Sequence, residues 1–186
     1  MKKVVIIGVS RIVDFHIRAL KEVGLEPIAI ASSNPNSLTI ENFSKVNNIS
    51  KYYTCWKKML SDESYDGIVI ASRIESTIEI LSESMKYDVP ILVEKPVGFS
   101  SESLKKLVET GHDKILVGYN RRFYKTVKYV KEFVKGKESV LASITTPEIP
   151  TIRKFFDNTS HSINLLQFVF GEIKLEFARK IISENG

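Results

Sequence analysis

Six short apolar segments, separated by stretches with helical periodicity, constrain what the first two-thirds of this chain can fold into. They are residues 4–7, 27–31, 52–53, 68–71, 90–93 and 114–118. Short apolar runs of this kind predict strands that are buried on both faces of a sheet. Strands that alternate with helices need crossover connections, so they lie parallel to one another. We therefore predict an α/β fold in which helices cover both faces of a doubly wound parallel sheet.

The pattern of elements changes after residue 118. Residues 123–134 and 157–170 have helical periodicity, whereas residues 139–146 and 173–182 predict strands. This order predicts a second, truncated α+β domain over residues 121–186, which follows a first domain over residues 1–120. A short sheet with one covered face exposes its edges and apolar surface, so we expect the second domain to form a homo-oligomer.

The loop after the first strand is the first candidate ligand site. In open parallel sheets, ligands bind beyond the carboxyl ends of the strands. A dinucleotide-binding loop there has three glycines, which allow a tight turn, a close approach of the pyrophosphate and close packing of the helix. Residues 8–13 read Gly-Val-Ser-Arg-Ile-Val, so only the first glycine is present. The sequence thus predicts a Rossmann-like domain with an altered phosphate loop.

Two compensations for the missing glycines are available in this loop. A helix N-terminus offers free N–H groups to an anion, and the Ser10 hydroxyl and the Arg11 guanidinium can add contacts. Ser10 is equally placed to cap the helix, and the two roles do not exclude each other. After the second strand, Ser32, Ser33 and Asn34 offer neither an acid for the ribose hydroxyls nor an arginine for a 2′-phosphate. The choice between NAD and NADP stays open.

The composition bears on the setting of the protein and on its partners. The net charge of +5 permits nucleic-acid binding, but the lysines are scattered over the helices, so we expect no nucleic-acid partner. No apolar run reaches the roughly 20 residues of a membrane span, and we expect no membrane contact. The single cysteine, Cys55, fits a reducing, cytoplasmic setting. No Cys/His spacing predicts a metal site.

Several segments occur in an order that carries more information than any one of them. They are residues 8–20, residues 53–60, residues 66–71 (Asp-Gly-Ile-Val-Ile-Ala), residues 94–96 (Glu-Lys-Pro), residues 118–123 (Gly-Tyr-Asn-Arg-Arg-Phe) and residues 157–171, which begin Asp-Asn-Thr-Ser-His. In this order they resemble the glucose–fructose oxidoreductase / inositol dehydrogenase (Gfo/Idh/MocA) family of NAD(P)-dependent oxidoreductases. The resemblance covers nearly the whole chain.

The resemblance implies hydride transfer between a nicotinamide cofactor and a carbon of a sugar or nucleotide-sugar. It implies that Lys95 donates or relays a proton beside the reacting oxygen, and that His161 is the general base or acid, with Asp157 supporting it. Together with the strand-end rule, it implies cofactor contacts from Gly8, Val9, Ser10, Arg11, Ile12, Ser32, Ser33, Ser72, Arg73, Glu94, Lys95 and Pro96. The substrate residues expected on the same grounds are Asn120, Arg121 and Arg122.

The chemistry of these side chains agrees with the implied roles but leaves alternatives open. Loss of hydride from an alcohol carbon also requires loss of the hydroxyl proton, so a base is useful there. Asp157 and His161 are four residues apart and share one face of a helix. Lys95 could instead be a surface lysine paired with Glu94, Asp157 a helix cap, and His161 a half-exposed histidine. A further hypothesis is that the Lys95–Pro96 peptide bond is cis.

Departures from the family pattern support a second hypothesis. Ser10 and Val13 replace glycines of the loop, and residues 72–77 read Ser-Arg-Ile-Glu-Ser-Thr where a Thr-Pro-Asn is usual. Members of the family also run far beyond 186 residues. The alternative to an oxidoreductase is therefore a non-catalytic relative that binds a ligand or regulates another protein.

Overall fold

Two compact units make up the chain, Met1–Gly118 and Tyr119–Gly186. The structure is a computed structural model, and it describes residues 1–145, 151 and 155–179. None of the helices in these ranges combines the length and the apolar character that a bilayer crossing requires.

The first unit contains six parallel strands in the order β3-β2-β1-β4-β5-β6. The strands are β1 Lys2–Ile7, β2 Leu25–Ala31, β3 Lys51–Tyr53, β4 Gly67–Ile70, β5 Ile91–Val93 and β6 Ile115–Val117. The helices between them are α1 Arg11–Glu22, α2 Ile40–Val46, α3 Trp56–Asp62, α4 Ile74–Ser84 and α5 Ser101–Val108. This order reverses direction between β1 and β4, which is the switch point of a Rossmann-like sheet. The prediction of a doubly wound α/β fold is confirmed.

Two layers of apolar side chains cover the two faces of this sheet. On one face, Ile7 packs with Met59 of α3 and Ile80 of α4. On the other face, Ile6 packs with Ile17 of α1. Neighbouring residues of β1 reach opposite layers because successive side chains of a strand point to opposite faces. The continuous apolar run at residues 4–7 therefore reflects a strand that is buried on both sides.

The regular elements in the described part of the second unit are helices. It contains a 3-10 turn at Asn120–Phe123, α6 at Lys125–Val134, a π-helical turn at Phe155–Thr159 and α7 at Ser160–Phe170. Helices α6 and α7 pack against each other and line an apolar groove of about 260 Å³, to which Val127 and Leu165 contribute.

The strands predicted for this unit do not appear among the residues that the structure describes. Residues 139–145 and 173–179 form no strand, and residues 146 and 180–182 lie outside the described residues. A strand persists only where a neighbour pairs with its N–H and C=O groups, and the described part of this unit contains no such neighbour. Side chains that favour strands, such as Val140 and Ile144, do not form one without that partner.

Candidate functional site

Gly8 directly follows β1 and lies against the segment that follows β4. Its φ is +132°, and a Cβ atom there would lie 2.1 Å from the carbonyl oxygen of Ala71. Its own N–H donates to the carbonyl of Ala31, at the end of β2, over 2.8 Å. Only glycine satisfies both this backbone conformation and this close approach. Gly8 thereby joins the carboxyl ends of β1, β2 and β4 at the switch point of the sheet, where ligands of such folds bind.

Helix α1 directs its N-terminus to this edge of the sheet. Ser10 precedes the helix, but its side chain makes no capping hydrogen bond, contrary to one of the two roles considered for it. Only its carbonyl takes part, by accepting the N–H of Val13 at 2.9 Å. None of the described residues accepts a hydrogen bond from the backbone N–H of Arg11 or Ile12. The exposed hydroxyl of Ser10 and these N–H groups are therefore available to an anion.

The two positions without the expected glycines fit this geometry. Ser10 has φ −160° and ψ 167°, an extended conformation that any residue adopts. Val13 is fully buried, and it packs in the same apolar layer as Ile6 and Ile17. A branched side chain is therefore accommodated between α1 and the sheet. The pyrophosphate of a dinucleotide accepts hydrogen bonds and donates none. The loop fits it because the helix N-terminus, a hydroxyl and the exposed Arg11 all offer hydrogen-bond donors.

The turn after β2 is held by its own side chains. Ser32 is buried, and its hydroxyl oxygen accepts the N–H of Asn34 at 3.0 Å. The side-chain oxygen of Asn34 in turn accepts the N–H of Asn36 at 3.0 Å. Ser33, between them, is half-buried. The turn presents polar side chains at the strand end where a cofactor ribose binds in this type of fold.

The segment after β4 contains a short hydroxyl relay. Thr77 donates its hydroxyl proton to the carbonyl of Arg73 at 2.9 Å, and the Ser72 hydroxyl lies 2.9 Å from the Thr77 hydroxyl. Because Thr77 has only one proton, Ser72 is the donor in that contact, and its oxygen keeps acceptor capacity. The Arg73 side chain is exposed at the start of α4.

Glu94 ties the segment after β5 to α1. One carboxylate oxygen lies 2.8 Å from Nε2 of His16, and the other accepts the backbone N–H of Lys95 at 3.2 Å. The side chains of His16 and Glu94 are only 16% and 20% exposed. Gly118 allows this arrangement, since a Cβ atom there would lie 3.2 Å from the Glu94 carboxylate. The Lys95–Pro96 bond is cis, which confirms that hypothesis. Lys95 and Pro96 are half-buried.

Replacing His16 with leucine is expected to lower the free energy of unfolding by about 1–3 kcal/mol, because the mostly buried Glu94 carboxylate loses a hydrogen-bond partner. His16→Gln places an amide nitrogen near the position of Nε2 and should recover a large part of that loss. Urea unfolding of both variants gives the comparison. Equal losses in the two variants would mean that the ring shape of His16, and not its bond to Glu94, provides the stability.

In the second unit, four polar or aromatic side chains assemble around α7. Arg122 donates from Nε to the side-chain oxygen of Asn164 at 2.6 Å. The rings of Tyr119 and His161 meet edge to face, with centroids 5.8 Å apart. His161 is 6% exposed, so the alternative of a half-exposed histidine is wrong. Burial raises the pKa of the Tyr119 hydroxyl, whereas a hydrogen bond with Ser160 and the charge of Arg122 act in the opposite direction.

The remaining candidates of the second unit occupy different positions. Asp157 lies within the π-helical turn, and Thr159 is the residue at the N-cap position of α7, so the structure does not support the cap alternative for Asp157. Asn120 is exposed, and Arg121 is half-buried. Tyr119, which directly precedes the Asn-Arg-Arg motif, was not among the predicted site residues. Over the described ranges, no group of three His, Cys, Asp or Glu side chains is close enough to hold a metal ion.

Comparison with known proteins gives matches over most of the chain. The model of a family described as "Oxidoreductase family, NAD-binding Rossmann fold" (GFO_IDH_MocA) matches residues 2–119. Myo-inositol 2-dehydrogenase of Thermotoga maritima is 25% identical over 182 residues, which cover 90% of this chain and 54% of that protein. The rhizopine catabolism protein MocA of Rhizobium meliloti is 27% identical over 134 residues, or 70% and 41% of the two chains. The chain spans about half the length of the curated relatives it matches.

Solved structures share the fold. Scyllo-inositol dehydrogenase of Lactobacillus casei, solved with NAD(H) and scyllo-inositol, superposes with a TM-score of 0.75 at 18% identity, over 92% of this chain and 56% of that one. An oxidoreductase from Agrobacterium radiobacter, in complex with NAD+, L-tartaric acid and magnesium, gives 0.76 at 17% identity, over 92% and 55%. At these identities the likeness establishes the fold alone.

Proposed function

Because this chain belongs to the Gfo/Idh/MocA family of NAD(P)-dependent oxidoreductases, we propose that it oxidises or reduces a carbon of a sugar or sugar-like polyol. The observation that carries the proposal is the edge around Gly8, where three strand ends meet the N-terminus of α1. The names of the relatives support the substrate class, since they include dehydrogenases of myo-inositol and scyllo-inositol. The proposed substrates include nucleotide-sugars, because their sugar part contains the same type of carbon.

The proposal assigns the cofactor to the carboxyl edge of the first unit. The N-terminus of α1, with Ser10, would hold the pyrophosphate, Val9 and Ile12 would flank it, and Arg11 would add a positive charge at this edge of the sheet. Ser32 and Ser33 would face the adenosine ribose. On the nicotinamide side, the proposed contacts are Ser72, Arg73, Glu94, Lys95 and Pro96. When bound, the cofactor supplies the acceptor or donor of the hydride.

Proton transfer is assigned to Lys95, Asp157 and His161. An alcohol carbon that loses a hydride must also lose its hydroxyl proton, and an imidazole can accept that proton near neutral pH. The burial of His161 and its contact with Tyr119 support this role, because a catalytic base has to be held in one orientation. Asn120, Arg121 and Arg122 are proposed to bind the hydroxyl groups of the substrate.

The first test is a titration of the full chain with NADH and with NADPH, followed by nicotinamide fluorescence. The proposal requires saturable binding of at least one cofactor, and the absence of binding at millimolar concentrations would contradict it. A panel of inositols, sugars and nucleotide-sugars then tests turnover. Cofactor binding without turnover on any of them would favour the second hypothesis, a non-catalytic ligand-binding relative.

Self-association through the second unit is also proposed. Tyr129 and Phe133 of α6 stack on each other, yet 71% and 61% of these residues are exposed. Burial of such a pair between copies would remove apolar surface from water. We expect a homo-oligomer in light scattering, and we expect Phe133→Ser to shift it toward the monomer. Leu38→Ser, which changes an exposed apolar residue of the first unit, should leave the mass unchanged. A monomeric wild-type protein at high concentration would contradict the proposal.

A further inference from the structure

Two side-chain acceptors of the turn after β2 are engaged by backbone N–H groups of the same turn. The Ser32 oxygen accepts the N–H of Asn34, and Oδ1 of Asn34 accepts the N–H of Asn36, each at 3.0 Å. None of the described residues accepts a hydrogen bond from the hydroxyls of Ser32 and Ser33 or from Nδ2 of Asn34. The turn therefore offers several neutral donors to a ligand, and it contains no carboxylate acceptor.

The donors and acceptors of this turn distinguish NAD from NADP. The ribose hydroxyls of NAD donate to an acid that usually stands at this position. The 2′-phosphate of NADP accepts hydrogen bonds and is repelled by an acid. Residues 32–40 contain no Asp or Glu. The acids on the neighbouring helices already have partners, since Asp14 accepts from Asn47 at 3.1 Å and Glu41 pairs with Lys45 at 2.6 Å.

Arg11 adds a positive charge at the same edge of the sheet. The bond from the Gly8 N–H to the Ala31 carbonyl, 2.8 Å long, joins the loop before α1 to the end of β2. Arg11 begins α1 three residues after Gly8, and its side chain is exposed. No described residue forms an ion pair or a hydrogen bond with its guanidinium. A guanidinium binds phosphate through parallel N–H donors, so Arg11 suits a phosphate ligand.

We propose that this edge binds the 2′-phosphate of NADP(H), with Ser33, Asn34 and Arg11 as its partners, and that the chain prefers NADP(H) to NAD(H). The inference rests on the proposed function only in requiring that the chain bind a nicotinamide dinucleotide. It sets this chain apart from the two solved relatives described above, which contain NAD(H) and NAD+.

The experiment compares the dissociation constants of NADPH and NADH for the full chain, by calorimetry and by fluorescence, at low ionic strength. NADPH is expected to bind about tenfold more tightly, a ratio that falls as salt screens the phosphate contacts. 2′,5′-ADP should compete with NADPH more strongly than 5′-ADP does, because it carries the discriminating phosphate. None of these measurements requires a substrate.

The decisive variant is Asn34→Asp, which keeps the oxygen that accepts the Asn36 N–H and adds an acid at the strand end. We expect it to reverse the preference to about tenfold in favour of NADH. Asn48→Asp is the matched control, since it makes the same change at an exposed residue that precedes β3, at the opposite edge of the sheet. The control should keep the preference for NADPH. Arg11→Gln should weaken NADPH binding more than NADH binding.

The outcomes separate this inference from the proposed function. If neither cofactor binds, both are overturned. If NADH binds as tightly as NADPH or more tightly, or if Asn34→Asp does not change the ratio, only the preference for NADP(H) is overturned. If Arg11→Gln weakens the binding of both cofactors equally, Arg11 contacts the pyrophosphate that they share, and its assignment to the 2′-phosphate is overturned.

Discussion

Replacing Gly8 with alanine is expected to lower the free energy of unfolding by more than about 3 kcal/mol, and to abolish cofactor binding in any protein that still folds. The new Cβ atom would lie 2.1 Å from the carbonyl oxygen of Ala71 and 2.6 Å from its carbonyl carbon. Both are backbone atoms of the segment after β4, so no flexible side chain can move to relieve the clash. The φ of +132° adds strain that an L-residue cannot avoid.

Gly24→Ala is the matched control for this experiment. Gly24 also has a positive φ, +75°, but a Cβ atom there would meet nothing within 4 Å. The control therefore measures the cost of the left-handed backbone alone, about 1–2 kcal/mol. Urea unfolding gives both free energies, and titration with NADH and NADPH gives cofactor binding. If Gly8→Ala lowers the free energy of unfolding by no more than Gly24→Ala does, the close contact between the ends of β1 and β4 does not hold the site together.

The sheet of the first unit was predictable because its signal is local. A strand covered on both faces is apolar at every position, and the run at residues 4–7 falls within β1, Lys2–Ile7. The family resemblance adds to this reading, and the matched model covers residues 2–119. The strands predicted after residue 118 carried an equally local signal, yet residues 139–145 form none. Strand formation also needs a pairing partner, which no local pattern contains.

The site was less predictable because its contacts join distant parts of the chain. His16 and Glu94 are 78 residues apart in sequence, and nothing in either segment indicates that they share a hydrogen bond. Val13 looked incompatible with close packing of α1, but it fits because its side chain enters the apolar layer beside Ile6. Whether a branched side chain is accommodated depends on the local spacing between helix and sheet, which the glycine pattern alone does not determine.

The spacing of Asp157 and His161 illustrates a further limit of sequence reasoning. A separation of four residues places two side chains on one face of an α-helix. In the structure, Asp157 belongs to a π-helical turn and His161 to α7, so the segment changes its helical type between them. A π-helical turn has more residues per turn than an α-helix, and such turns occur often at functional sites. The sequence pattern predicted the helix but not this change in its geometry.

Substitution of His161 by asparagine is expected to reduce turnover of the substrate found in the panel by about 10²–10⁴-fold, the usual contribution of a general acid or base. Cofactor affinity should change little, because the proposed contacts of the cofactor lie in the first unit. The remaining activity in the oxidation direction should rise with hydroxide concentration, since solvent then has to accept the proton. Steady-state kinetics across a range of pH, with cofactor titrations of the same samples, measure all three effects.

The chain contains three histidines, which provides an internal control. His112 lies between α5 and β6, it has no proposed role, and His112→Gln should retain turnover and the wild-type pH profile. If His161 had only a structural role, His161→Asn would lower the amount of folded protein and weaken cofactor binding. The remaining turnover would not depend on the hydroxide concentration. Full turnover in His161→Asn, with an unchanged pH profile, would contradict the assignment of the base. The proton acceptor would then have to be sought at Lys95, a proposed proton-transfer group that follows the carboxyl end of β5.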